Sequence, residues 1–309
     1  MIRKLVIAAL VLGAIGGLAF WFLTAPQTLS AQEIASAGEG DVARGERMFW
    51  AGGCASCHAA DGAKGDDKLK LTGGHVLKSP FGDFIAPNIS MHERDGIGGW
   101  SFTEFANAML RGVSPDGAHY YPSFPYSSYM RMKPADVADL WAYMRTLPAV
   151  DGKAEPHRLS FPFTVRRGLG LWKLLFLNPG PVVALADATP EMQLGQYLVE
   201  GPGHCGECHT PRDMIGGPKY GLWLSGAVSP EGEGVIPNIT SGEGGIGDWS
   251  AKDISYYLES GFTPEFDSVG GSMVAVQENM ARLSPEDRAA IAAYIKAIPA
   301  HPDGYPAKR

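Results

Sequence analysis

Cysteine and histidine occur together twice in the same short pattern, Cys54-Ala55-Ser56-Cys57-His58 and Cys205-Gly206-Glu207-Cys208-His209. Two thiols three positions apart, with an imidazole directly behind the second, can do one of two things. They can ligate a metal as thiolates, or they can add across the vinyl groups of a haem while the histidine takes the iron. Zinc ribbons place their cysteine pairs about 15–20 residues apart. Here 147 residues separate the pairs, and each has its own histidine. A redox dithiol would need a βαβ context, which this Gly- and Pro-rich chain does not supply. The four cysteines of the chain are all used in these motifs, leaving none for a disulfide. The expectation is two covalently bound haem c groups on Cys54, Cys57, Cys205 and Cys208, with His58 and His209 as proximal iron ligands.

A histidine on one side of the iron leaves one axial position to fill. Methionine there suits an electron carrier, whereas an open position suits chemistry on a bound substrate. In the second half, Met273 of Gly270-Gly271-Ser272-Met273 lies in a pliable segment before Ser284 and is the expected ligand. Met280 is its competitor, with spacing that reads as packing. In the first half, counting back from the last helix puts Pro122 at the place of Met273, and proline cannot ligate. Met132 is expected instead, with Met130 and His119 as alternatives. His75, His92, His157, His204 and His301 receive no ligand role, although His204 adjoins the second motif and a haem edge. Arg111 and Arg212 are candidates to neutralise a haem propionate. Trp100 and Trp249 read as packing residues.

The elements that must position these groups recur at a period near 150 residues, too long for a solenoid. Ala86-Pro87-Asn88-Ile89-Ser90 returns as Ile236-Pro237-Asn238-Ile239-Thr240, and Gly96-Ile97-Gly98-Gly99-Trp100-Ser101 as Gly245-Ile246-Gly247-Asp248-Trp249-Ser250. A helix approaches each motif, over Asp41–Trp50 and Met192–Glu200. A second helix runs over 101–111 and 250–260 and stops at Gly112 or Gly261. A third starts at Pro134 in one copy. In the other it starts at Ser284-Pro285-Glu286-Asp287, with a capping serine, proline at the first position and acid at the third. Such a trio around C-x-x-C-H is the outline of a class I cytochrome c. The expected fold is all-α, with two tandem domains of this kind and loops 61–99 and 210–248 of little regular structure.

Arg3 and Lys4 precede an uncharged run from Leu5 to Leu23, close to the ~20 residues that span a bilayer. It reads as a transmembrane anchor in preference to a cleaved signal, whose apolar region is shorter. The positive flank keeps the start of the chain cytoplasmic and exports the rest. The expected organisation is an anchor over 1–25, a tether over 26–40, domains over 41–149 and 191–309, and a linker over 150–190. Net charge is −7 with no basic cluster of the kind nucleic acid requires.

Several stretches carry a family resemblance: Ala86-Pro87-Asn88-Ile89 with Gly96 to Trp100, Tyr121-Pro122-Ser123-Phe124-Pro125-Tyr126, and Phe161-Pro162-Phe163 with Arg166 and Trp172. Gly201 to Arg212, around the second motif, matches best. Over about residues 41–300 the chain resembles the cytochrome c subunits of proteobacterial membrane-bound alcohol, gluconate and aldehyde dehydrogenases. The resemblance implies histidine–methionine haems that relay electrons from a dehydrogenase toward quinone or an oxidase. Those subunits usually carry three haems, and this chain has two motifs. The reading is a membrane-anchored periplasmic dihaem cytochrome of the bacterial inner membrane. Its donor would be a dehydrogenase or other respiratory protein, its acceptor a terminal oxidase or another, soluble cytochrome. The alternative is a dihaem peroxidase, which would need one exchangeable ligand and acid–base groups over bound peroxide.

Overall fold

A computed structural model describes residues 1–230 and 234–301. The apolar N-terminus is one unbroken helix, α1 (Ile2–Leu23), with a mean hydropathy of 2.4 and no buried side chain. It is the one described helix long and apolar enough to cross a membrane. A short helix, α2 (Ala31–Ala35), follows. The first unit contains α3 (Val42–Ala51), α4 (Cys54–His58), strands β1 (Val76–Ser79) and β2 (Gly82–Ile85), α5 (Phe102–Arg111), α6 (Tyr126–Tyr129) and α7 (Pro134–Met144). The connection carries β3 (Arg158–Leu159) and α8 (Leu169–Phe176). The second unit repeats the plan with α9 (Pro190–Glu200), α10 (Gly206–His209), β4 (Ala227–Val228), β5 (Val235–Ile236), α11 (Ala251–Ser260), α12 (Met273–Met280) and α13 (Pro285–Ala297).

Local chemistry fixes the helix ends. Asp41 and Thr189 cap α3 and α9 by accepting from Arg44 N and Met192 N. Ser101 with Glu104 and Ser250 with Asp253 form reciprocal capping boxes at the start of α5 and α11. Both helices end on a left-handed glycine, Gly112 or Gly261, which no β-carbon penalises. In each unit the first helix crosses the last, α3 on α7 and α9 on α13. The crossing is tight: a β-carbon on Gly45 would sit 1.9 Å from the Asp139 carbonyl oxygen, and one on Gly195 1.9 Å from that of Ala290. Alanine at either place would force the helices apart.

Three features depart from the expected architecture. The loops hold small sheets, so the fold is mostly helical without being all-α: β1 pairs with β2, β2 with β3, and β4 with β5, all antiparallel. The units also share one core. Its buried cluster runs without a break from Met48 and Phe49 to Leu198 and Tyr294. Finally, residues 26–40, expected as a tether, lie along the first unit. Leu29 N donates to Asn107 Oδ1 at 2.7 Å, Glu33 pairs with Arg111 at 2.7 Å, and Ala37 is buried.

The connection is equally engaged. Buried Glu200 accepts from Val182 N, Val183 N and, at 2.5 Å, the Tyr294 hydroxyl, pinning residues 182–183 to the second unit. Lys173 of α8 donates to the carbonyls of Arg111 and Gly112 at 2.6 and 2.8 Å, closing the end of α5.

Candidate haem sites and the contact between them

Each motif is a single helical turn, α4 or α10, reached directly from the end of α3 or α9. One turn places both thiols and the imidazole on neighbouring faces. No cysteine is bridged to another. Burial pushes the Cys54 and Cys205 thiols up to about 12. Among the described residues no three His, Cys, Asp or Glu side chains gather as a metal cluster, so the pairs do not converge on one zinc.

The two imidazoles are oriented identically. His58 Nδ1 lies 2.8 Å from the Pro87 carbonyl oxygen, and His209 Nδ1 lies 2.8 Å from that of Pro237. A carbonyl can only accept, so Nδ1 carries the proton and Nε2 keeps its lone pair for iron. Burial lowers both histidine pKa values and favours that neutral form. The repeated Pro-Asn-Ile segment thereby acquires a purpose. Proline supplies the acceptor, and the next residue fixes the loop: Asn88 Nδ2 donates to Val150 O and Gly152 O, and Asn238 Nδ2 to His301 O. These residues fit a covalent haem at each motif.

The methionine candidates occupy distinct places. Met132 is buried in the core just before α7, while Met130 is half-buried at the end of α6. Met273 opens α12 and is half-buried, and Met280 is packed in the core. His119 is turned elsewhere: its Nε2 meets the Thr24 carbonyl at 2.8 Å. The register with Pro122 also shifts. The bridges Val113–His119 and Phe262–Ser268 are equivalent, and counting from them aligns Met273 with Phe124. The second unit has a longer α12 where the first has the short α6, which displaced the count from the last helix.

The remaining histidines make ordinary contacts. His75 pairs with Asp61 at 2.8 Å, His92 and His157 accept from Asp95 N and Ile85 N, and the His301 carbonyl holds Asn238. Neither propionate candidate is free, because Arg111 is taken by Glu33 and Arg212 by Glu207. Among the described residues, the buried guanidinium atoms without a protein partner are Arg131 Nη2, Arg166 Nε and Arg288 Nε. Trp100 and Trp249 pack against the core.

Nothing in the order of residues foretells how the motifs meet. Asn279 of α12 donates to Ser56 of the first motif at 2.6 Å. Ser127 and Ser128 of α6 donate to Glu207 of the second at 2.7 and 2.8 Å. His204 Nε2 lies 3.2 Å from the Gly52 carbonyl, and its ring stands edge-on to Tyr129 at 5.6 Å. Farther out, Arg47 of α3 grips Asp287 of α13 at 2.6 Å, and Tyr197 of α9 donates to Asp136 of α7. The contacts of Asn279 with Ser56 and of Ser128 with Glu207 are reciprocal, as are those of Arg47 with Asp287 and of Tyr197 with Asp136, whereas those of His204 have no counterpart in the other unit.

Two oriented imidazoles behind paired thiols, each on a single turn that follows one helix of a crossed pair, define a c-type cytochrome. A cytochrome c family model matches residues 42–148. The chain is 51% identical over 298 residues to a dihaem c-type cytochrome of Cereibacter sphaeroides, covering 96% of this chain and 99% of that one. It is 36% identical over 269 residues to the fructose dehydrogenase cytochrome subunit of Gluconobacter japonicus, covering 86% of this chain and 54% of the relative. It is 32% identical over 291 residues to the cytochrome c subunit of the quinone alcohol dehydrogenase of Gluconobacter oxydans, covering 90% and 59%. The chain belongs to the cytochrome c family, in its dihaem c-type group, and carries two covalently bound haem c groups.

Proposed function

We propose that the chain is an exported, membrane-anchored electron relay. It takes single electrons from a dehydrogenase or another respiratory donor and hands them toward a terminal oxidase or a soluble carrier. The observation that carries this reading is the reciprocal grip of the two haem motifs, Asn279 on Ser56 and Ser128 on Glu207, which holds the attachment sites in fixed relation. Haem iron supplies one-electron chemistry when bound. The polypeptide would attach it through Cys54, Cys57, Cys205 and Cys208 and would orient His58 and His209 through the Pro87 and Pro237 carbonyls, with Met132 and Met273 as the second iron ligands. Arg131 and Arg166, half-buried and each with a guanidinium nitrogen lacking a protein partner, are the cations offered to the propionates. The dehydrogenase cytochrome subunits among the relatives support a dehydrogenase donor. The docking of α1 on the first unit supports an anchor that is retained.

Carbon monoxide added to the dithionite-reduced holoprotein tests this reading. An unchanged visible spectrum is expected, because methionine closes both irons. Rapid stoichiometric binding at one haem would overturn the relay and favour a peroxidase-type enzyme.

A further inference from the structure

The end of α1 is built into the first unit. Thr24 is fully buried, and its carbonyl meets His119 Nε2 at 2.8 Å. Arg167 Nε donates to Thr24 Oγ1 at 2.9 Å, Arg167 also donates to the Trp21 carbonyl, and its guanidinium lies 4.3 Å from the Trp21 ring centroid. Against this junction stands the start of α8: a β-carbon on Gly170 would come within 2.6 Å of Thr24 backbone atoms. One face of α8 is used internally, with Trp172 buried and donating to the Ile215 carbonyl, and Lys173 capping α5. The other face carries Leu171, Leu174 and Leu175 at helical spacing, 42%, 57% and 69% exposed, with no described residue covering them. Just upstream, Phe161 is 82% exposed.

Charge follows the same division. The chain is net acidic, yet between Glu155 and Asp187 it has no acidic residue, while Arg158, Arg166, Arg167 and Lys173 fall there. Arg158 pairs with Asp83 and Glu155, and Arg167 and Lys173 turn inward to Thr24 and the end of α5. What this face presents is therefore apolar area in a stretch of chain without an acidic residue, which suits a lipid interface. Distance fixes the occupant. Leu175 follows Gly170 by five residues, about 7.5 Å of helix. The headgroup layer is roughly 5–7 Å deep on each side of a bilayer. Whichever way α8 points, its leucines stay within about one headgroup depth of the place where α1 emerges.

We propose that the Leu171–Leu174–Leu175 face of α8 is a second membrane contact, seated in the headgroup layer beside the end of α1. It rests on the reading of α1 as an anchor. It adds that the first unit is held against the lipid in one orientation and does not swing on a tether.

The native cysteines are all committed to haem, so an introduced cysteine is the one site a nitroxide label can take. Leu174→Cys, Leu12→Cys in mid-α1 and Lys252→Cys at the start of α11 would each be labelled in the full-length holoprotein. The proteins would be reconstituted in phosphatidylethanolamine–phosphatidylglycerol vesicles. Collision with oxygen would be compared with collision with a water-soluble nickel chelate. The expected result is preference for oxygen at Leu174 and Leu12, and for nickel at Lys252, with Leu171→Cys repeating the Leu174 result. Nickel preference at Leu174 with oxygen preference at Leu12 would overturn this proposal and leave the anchor intact. Nickel preference at Leu12 would remove the anchor and the proposal together. Shielding of Leu174 from both reagents would mean that protein covers the face, which also overturns it.

Discussion

Ser56 and Glu207 occupy the same position in the two C-x-x-C-H motifs, and each is held by a side chain from the opposite unit. Asn279 reaches Ser56 at 2.6 Å, and Ser128 reaches Glu207 at 2.8 Å. Equivalent residues hold equivalent residues, although their identities differ. The duplication therefore extends beyond two similar halves to the contact between them.

Haem content should follow the motifs one for one. Replacing Cys54 and Cys57 by alanine is expected to reduce the pyridine haemochrome yield from two haems per chain to one, and replacing Cys205 and Cys208 to do the same. Retention of two haems in either variant would refute the assignment of the cysteines.

The axial ligands separate by carbon monoxide binding. Met132→Ala and Met273→Ala should each open one site in the reduced protein, whereas Met130→Ala and His119→Ala should open none. Met132→Ala should also lower stability by about 2–5 kcal/mol, the usual cost of truncating a buried methionine. His119→Ala removes the contact with Thr24 and should alter attachment of α1 without altering the haem spectrum.

The contact between units is measurable at Arg47. Its partner Asp287 retains only 5% of its side-chain exposure, while Arg47 keeps 38%. Arg47→Ala leaves a buried carboxylate without its cation, a loss of about 1–3 kcal/mol in urea unfolding. A double-mutant cycle with Asp287→Asn should recover most of that loss as coupling. Additive single effects would mean that the pair does not join the units.

Glu207 makes stability depend on pH. Burial alone would raise its pKa, but Arg212 and the Ser127 and Ser128 hydroxyls outweigh burial and hold it below the usual carboxylate value. A depressed folded-state pKa contributes stability above the unfolded value, and that contribution fades as pH falls through the folded one. The protein should thus lose urea resistance on acidification below about pH 4.5. Glu207→Gln should be weaker at neutral pH and lose less on acidification. An unchanged acid slope in the variant would place the effect elsewhere.

Much of the site was legible because haem attachment and helix capping depend on side-chain identity. The C-x-x-C-H pairs, the Ser101–Glu104 and Ser250–Asp253 boxes and the terminating Gly112 and Gly261 are all chemistry written in residue types. What escaped depends on backbone atoms or on distance. The Pro87 and Pro237 carbonyls are acceptors that any residue possesses, and only the recurrence of Pro-Asn-Ile hinted at them. Strands of two to four residues are too short to show a period. Phe124 stands at the place of Met273 because α6 is shorter than α12, a difference invisible when the count starts at the last helix. The contacts Asn279–Ser56 and Arg47–Asp287 join residues more than two hundred positions apart.

Glu200 fixes Val182 and Val183 to the second unit, and Lys173 fixes α8 to the first, so the linker is bound at both ends and exposed between them. A protease cutting near Asn178 would sever the covalent link without parting the halves. The nicked protein would travel as one particle in gel filtration and fall into two haem-bearing fragments only in denaturant. The connection supplies continuity of chain, and the shared core supplies continuity of structure.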